Sequence, residues 1–315
     1  MTLGSRSVSS VLLALALTVL RGATILDTPY QGVTHIIRTE TAPRSLHMHI
    51  VEVDLTAPGI AFQLTPPGGT RETIRQTTLD YLNQTNAQVA VNAHFFLPFP
   101  SRDLNASVIG LAASGGQVYS AFETPSQSYA LVADAPAINI DRRNRAGVVH
   151  RDPAFADGRH VVERVTLWNA FAGSAQIITG GVETIPQYRD AQFPAGLLTP
   201  GGPGAYSNRD SWYNRLNART VIGLTRDRKT LVIFTVDARG GSLGMRVGEV
   251  ADLLIRDYGV CDALNMDGGG STTLAIQDPD THLGSLSNVS SDNPKGRAVA
   301  SNLAVFARPA PVPLR

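Results

Sequence analysis

Cysteine is nearly absent. Cys261 is the only one in 315 residues, which excludes an intrachain disulfide and any zinc cluster built on several thiolates. Charge is sparse as well: charged side chains make up 17%, and 27 basic against 26 acidic residues leave a formal net charge of +1. That balance gives no electrostatic case for a nucleic-acid or anionic-membrane partner. Long apolar runs are also missing. The stretch Val11 to Leu20 has ten residues, which as a helix rise about 15 Å, roughly half of a bilayer core, so no stable membrane span is expected.

What the chain does have is a packable composition, with 43% hydrophobic residues and a length that allows one or two domains. Its 29 glycines and 19 prolines call for many turns and argue against a helical bundle. Residues 1–23 read as an export signal, with Arg6 ahead of the apolar run, although Arg21-Gly22-Ala23 is a poor cleavage site. A secreted, periplasmic or envelope location follows as an expectation. The sequons at Asn83, Asn105 and Asn288 are read as incidental. Nothing in the sequence fixes an oligomeric state.

No linker or repeat divides the remainder. Residues 24–85 are expected to supply N-terminal strands and a helix to the same globular unit as residues 86–307, with 308–315 as a tail. Leu46 to Leu55 reads as a strand, and a helix is expected from a cap at Thr70 to about Gln84, with Ile74, Thr78, Tyr81 and Leu82 facing inward. Val89 to Val91 is a short strand leading into Asn92-Ala93-His94-Phe95-Phe96. Further strands are expected at Ala130 to Ile140, Val161 to Asn169 and Ala175 to Thr179. Residues 180–217 lack apolar periodicity and read as a surface excursion. Thr220 to Leu224 and Leu231 to Val236 should pair across the turn 226–229. Val247, Val250, Ala251, Leu254 and Tyr258 form one helical stripe closed by Gly259. Strands follow at Asp262 to Met266, Thr272 to Ile276 and Ala298 to Phe306. The expectation is a single α+β domain: a mixed, largely antiparallel sheet with flanking helices.

The strongest chemical signal is Asn265-Met266-Asp267-Gly268-Gly269-Gly270-Ser271. Three glycines directly after an apolar strand weaken the chain, so they make sense where backbone must approach a ligand or adopt positive φ. Exposed amides of such a turn can form an anion-binding nest. It is not a P-loop, since no Lys follows and no helix starts there. Arg219 and Arg297 are candidate partners for an anionic group, because a guanidinium matches phosphate oxygens in two contacts. Asp237, followed two residues later by Arg239, ends an apolar strand as Asp267 does, so the two carboxylates could share a pocket. A tight hairpin, solvated strand-end arginines and a packed His94 remain the plain structural readings. His47 and His49 alternate as H-x-H but have no third metal ligand, so no metal or other cofactor is expected.

Gly240-Gly241-Ser242-Leu243-Gly244 matches the G-x-S-x-G pattern of serine hydrolases, with Asp267 and His282 following in the appropriate order. The preceding strand ends five residues too early for a nucleophile elbow. An esterase using Ser242, Asp267 and His282 is kept as an alternative, as is a non-catalytic binder of phosphorylated glycans.

Taken together, Asn92-Ala93-His94-Phe95-Phe96, Ala218-Arg219-Thr220-Val221-Ile222-Gly223, Asp237, the Gly244-Met245 helix start and the Asp267–Ser271 run resemble the phosphodiester glycosidases over about residues 86–307. The chain departs from that pattern at His94, where a small residue is usual, and at Ala238, where Gly is common. The resemblance implies hydrolysis of the anomeric C1–O bond of a carbohydrate phosphodiester. Asp267, Asp237 and Arg219 would be catalytic. Asn92, His94, Arg239, Gly268, Gly269, Gly270, Ser271 and Arg297 would bind substrate.

Overall fold

A computed structural model describes residues 22–123, 128–289 and 293–310. The export signal expected at residues 1–23 lies outside the described residues except for Gly22 and Ala23, which open the first strand, Gly22–Tyr30. Residues 311–315 of the tail also lie outside them.

The chain builds two large sheets stacked face to face. Eight strands form the first, in the order Gly22–Tyr30, Val33–Glu40, Leu46–Asp54, Thr230–Val236, Arg219–Thr225, Val260–Asn265, Ala175–Thr179 and Val182–Glu183. Five form the second: Gly284–Leu286, Leu274–Gln277, Val89–Asn92, Asn302–Phe306 and Ala61–Leu64. A further five-stranded sheet, from Ala112–Ser114 to Asn169–Ala172, closes one end. All ladders between these strands are antiparallel. This is the α+β architecture expected from locally paired strands.

Residue alternation decides which side of each strand meets which layer. Val51, Val53, Ile222, Ile233 and Leu264 point from the first sheet into a core shared with Val91, Leu274 and Leu303 of the second. Their neighbours Ile50, Val221, Val232 and Phe234 face the opposite way and are covered by helix α2, Val247–Tyr258, through Val247, Val250 and Leu254. Helix α1, Thr78–Thr85, covers the far face of the second sheet with Tyr81 and Leu82. Gly259 ends α2 in the left-handed conformation (φ 62°) that the stripe called for. Leu254 is fully buried. Leu254→Ala should therefore cost about 2–5 kcal/mol from lost burial plus a residual cavity, read as a lower urea midpoint with an unchanged slope.

Three expectations need correction. The first helix starts at Thr78, not near Thr70, because Thr73–Ile74 pairs with Asn105–Ala106 and Gln76 bridges Val299. Thr77 is the cap, its Oγ1 accepting from the Asp80 amide at 3.0 Å, and Ile74 is left half exposed. The strand expected over Ala130 to Ile140 is reduced to Ala137–Ile140, since Asp134 takes positive φ (52°) and breaks it. Within Val161 to Asn169, Val161 makes one isolated bridge to Arg151, and the strand begins only at Asn169. The 180–217 excursion is largely irregular, but it buries Tyr188, Leu198 and Tyr213 against α2 and the first sheet.

Candidate active site

Strand Val260–Asn265 crosses the middle of the first sheet and delivers Asp267 to the edge of a cleft of about 240 Å³. Both backbone groups of Asp267 are held by the end of the Val89–Asn92 strand. Its amide donates to the Ala93 carbonyl (3.0 Å), and its carbonyl accepts from Asn92 Nδ2 (2.6 Å). The carboxylate is thus placed by two sheets at once, which is the rigid support a reacting group needs. The turn that follows is a single 3₁₀ turn over Gly269–Ser271. Gly269 has φ 60°, and a Cβ on Gly268 would sit 2.9 Å from the Ala218 carbonyl oxygen, so two of the three glycines have a steric reason to be there. The Gly269 amide donates to that same carbonyl at 2.8 Å. The amides of Gly268 and Gly270 take no partner among the described residues, which leaves two donors at the cleft wall.

Arg297 and Asn217 complete the polar end. Arg297 Nη1 donates to Ser271 Oγ (2.9 Å), and its guanidinium lies 4.5 Å over the Phe99 ring. Asn217 Oδ1 accepts from the Ala218 amide (2.9 Å), fixing the side chain beside Gly269. The cleft is otherwise largely aromatic. Phe95, Phe96, Phe99, Tyr129, Tyr206 and Trp212 all line it, six of the chain's 20 aromatic residues. Tyr129 and Tyr206 stack at 5.6 Å, with the Arg215 guanidinium 4.6 Å from the Tyr206 ring. Ring faces beside a charged end suit a ligand that has both an apolar ring surface and an anion.

The structure therefore brings Asp267, Gly268, Gly269, Gly270 and Arg297 together, with Ser271 directly behind Arg297. It does not bring the others into the cleft. Arg219 is fully buried beneath the aromatic wall. Its Nε donates to the Met245 carbonyl (3.1 Å), its Nη2 to those of Trp212 (3.0 Å) and Arg215 (2.6 Å), and the guanidinium packs 4.3 Å from the Trp212 ring. Burial pulls its pKa down to about 10. Asn92 is spent on Asp267, Thr220 Oγ1 (2.9 Å) and the Thr273 amide (3.0 Å), so it is not available to a sugar.

Asp237 is buried away from the cleft lining, and its carboxylate accepts from Asn288 Nδ2 (2.8 Å) and the Val289 amide (3.1 Å). Desolvation raises its pKa. Asn288 also donates to the Thr272 carbonyl (3.1 Å), which ties Asp237 to the residue just after the glycine turn. Arg239 is exposed on the loop after Asp237 and is not part of the cleft.

His94 is fully buried, with Nδ1 2.8 Å from Ser301 Oγ and Nε2 near the Leu111 carbonyl (3.1 Å) and the Ala172 amide (3.0 Å). Desolvation pushes its pKa down to about 4, so the ring is neutral when folded. The unfolded ring, at about 6.5, takes up a proton first. Its stabilisation is thus complete above pH 6.5 and lost as pH falls toward 4. Urea melts should show a drop of about 2 kcal/mol near pH 5 from His94. His94→Gln should flatten that part of the profile.

The esterase alternative fails on geometry. Ser242 Oγ donates to the Asp237 carbonyl (2.6 Å) and accepts from the His47 amide (3.1 Å), neither of them a histidine ring, and His282 sits in an exposed loop, its amide donating to the Asp278 carbonyl. His49 pairs with His35 (3.1 Å) and not with His47 as a metal pair. Sequence reasoning missed Asn217, Tyr129, Phe99, Tyr206 and Trp212. The available signal was the aromatics Tyr206 and Trp212 in the polar, glycine-rich stretch 201–217.

A sequence-family model described as phosphodiester glycosidase matches residues 85–306. The human N-acetylglucosamine-1-phosphodiester alpha-N-acetylglucosaminidase is 37% identical over 81 residues, and its mouse counterpart 34% over 80. Each match spans 25% of this chain and only 14% of the relative. Among solved structures, the zebrafish N-acetylglucosamine-1-phosphodiester alpha-N-acetylglucosaminidase catalytic domain, auto-inhibited by its pro-peptide, superposes with a TM-score of 0.61. It is 18% identical, and the match covers 92% of this chain and 89% of that one. A hypothetical protein from Synechocystis gives 0.59 at 15% identity, covering 88% and 62%. At these identities the two structures speak for the fold.

Proposed function

Because the chain belongs to the phosphodiester glycosidase family, we propose that it hydrolyses the anomeric C1–O bond of a sugar phosphodiester, releasing free sugar and a phosphate monoester. The observation that carries this reading is the convergence of one carboxylate, Asp267, the Gly268–Gly270 turn and the Arg297 guanidinium at one end of an aromatic cleft. Arg297 and the amides of Gly268 and Gly270 hold the phosphate, and Ser271 orients Arg297. The sugar lies against the aromatic wall. The departing phosphate monoester is a weak base, so it needs less protonation than an alcohol would. Neutralising its charge, with Asp267 steadying the oxocarbenium-like sugar or activating water, supplies the rate.

Among the described residues that line the cleft, Asp267 is the only carboxylate, so we assign it the chemistry. Asp237, Asn92 and Arg219 are positioning residues in this reading. An envelope or secreted location goes with it, on the strength of the apolar run at Val11 to Leu20.

The test is incubation with UDP-GlcNAc and with lipid-linked or polymeric sugar phosphodiesters while free sugar is measured. A protein that binds these diesters yet releases no sugar would be a glycan binder instead. Arg297→Ala should raise KM for the diester about tenfold or more, the loss expected for one charge-assisted hydrogen bond to phosphate. An unchanged KM would remove Arg297 from the phosphate site.

A further inference from the structure

Away from the cleft, two hairpin turns gather positive charge in one place. The turn between Ala137–Ile140 and Ala146–Val149 reads Asp141-Arg142-Arg143-Asn144-Arg145, and the turn between Arg219–Thr225 and Thr230–Val236 reads Arg226-Asp227-Arg228-Lys229. Both are firmly built. Asn144 and Arg228 adopt left-handed backbone (φ 58° each), Asn144 Nδ2 donates to the Ile60 carbonyl (2.8 Å), and the Leu55 amide donates to the Lys229 carbonyl (2.8 Å). Between the turns lies a depression of about 510 Å³ lined by Arg143, Arg145, Arg228 and Lys229. A second, of about 500 Å³, continues past Arg145 along the strand Ala146–Val149 to Arg164. That strand is the edge of its sheet and is paired on one side only.

The two depressions share Arg145 and Ala146 in their linings, so they lie side by side as the two halves of a trough. Five cations line it against two carboxylates, Asp141 and Asp227, in a chain whose formal net charge is only +1. Arg145 is paired with Asp141 and Arg228 with Asp262, but Arg143, Arg164 and Lys229 are exposed and hold no ion pair among the described residues. Arg143 and Lys229 on the two turns, with Arg164 on a neighbouring bend, make a surface for an extended anion, whose successive charges can each meet a guanidinium or ammonium. Strand Arg219–Thr225 ends at this trough and begins beneath the aromatic wall of the cleft, so the two lie about 20 Å apart.

We propose that the trough is an exosite for a polymeric phosphodiester, which it holds while the cleft acts on sugar phosphodiester units. The choice of phosphodiester over other polyanions rests on the reading of the cleft; the cation cluster itself does not. Because the trough is longer than one phosphate, a single anion gains little there and a chain gains several contacts.

The test uses the full chain with long-chain inorganic polyphosphate, measured by salt-dependent co-sedimentation. The parent protein should bind and release progressively as salt rises. Combined Arg143→Ser, Arg164→Ser and Lys229→Ser should weaken binding at least about tenfold while turnover of a small soluble sugar phosphodiester is unchanged. Asp267→Asn should lower turnover about a thousandfold and leave polyphosphate binding intact, so a failure of the cleft reading is separated from a failure of this one. Three results would overturn the exosite: undiminished binding by the triple variant, equal retention of poly-glutamate, or orthophosphate competing as well as the polymer at equal phosphate concentration. Single Glu substitutions at Arg143 or Lys229, expected to weaken binding in the same direction, guard against a folding defect in the triple variant.

Discussion

Asp267→Asn should lower kcat on a sugar phosphodiester about a thousandfold while KM changes only a few-fold, a loss of roughly 4 kcal/mol of transition-state stabilisation. Asn is nearly the same size and can keep the side chain where the strand end puts it. The backbone bonds to Ala93 and Asn92 do not involve the carboxylate and should survive. In the proposed reaction, what disappears is the negative charge next to the carbon that becomes oxocarbenium-like, and with it the capacity to draw a proton from water. A thermal melt close to that of the parent, together with loss of sugar release, is the expected pair of readings. Substantial residual turnover would move the chemistry to another group, and Asp237 would be the first to examine, since burial already raises its pKa.

Arg219→Ala should behave in the opposite manner, destabilising the fold by about 3 kcal/mol before any question of substrate arises. The substitution strips the carbonyls of Met245, Trp212 and Arg215 of their donor and leaves a cavity beneath Trp212. Removing a buried cation that lacks a carboxylate partner offsets part of that cost, which is why the figure is not larger. If Arg219 instead held the phosphate, as the resemblance implied, the variant would melt normally and show only a raised KM. A urea titration beside a KM measurement separates the two roles. Activity should fall as well, because Trp212 and Asn217, both part of the cleft, flank the residues that Arg219 ties together.

The contrast between these two residues shows what the sequence could and could not convey. Asp267 was legible because three glycines after an apolar strand have no economical structural explanation. The hairpin Arg219–Val236 and the α2 stripe were legible because alternation and 3.6-residue periodicity are local properties. Arg219 was misread. Alternation puts it on the same side of its strand as Val221, but it does not say whether that side faces solvent, a cleft or a helix. Only the arrival of α2 and of residues 212–217 made it an interior side. The start of α1 was lost for a similar reason, since pairing of Thr73–Ile74 with a strand thirty residues away outweighed the local capping signal at Thr70. Asn92 and His94 sit in the motif beside the cleft, yet both are buried behind its lining. A motif records that residues matter together, not which of them touches the ligand.

The order of the strands also bears on how the molecule is made. Asp54 pairs with Thr230, more than half the chain away, and Leu64 with Leu303. While the ribosome is still delivering the middle of the sequence, the three-stranded meander from Gly22 to Asp54 lacks its neighbour Thr230–Val236, and the sheet built from strands between residues 112 and 172 is the largest one whose strands all lie close together in sequence. The cleft waits longer still, for Arg297. Folding should accordingly be slow and late, in the manner of topologies dominated by distant contacts.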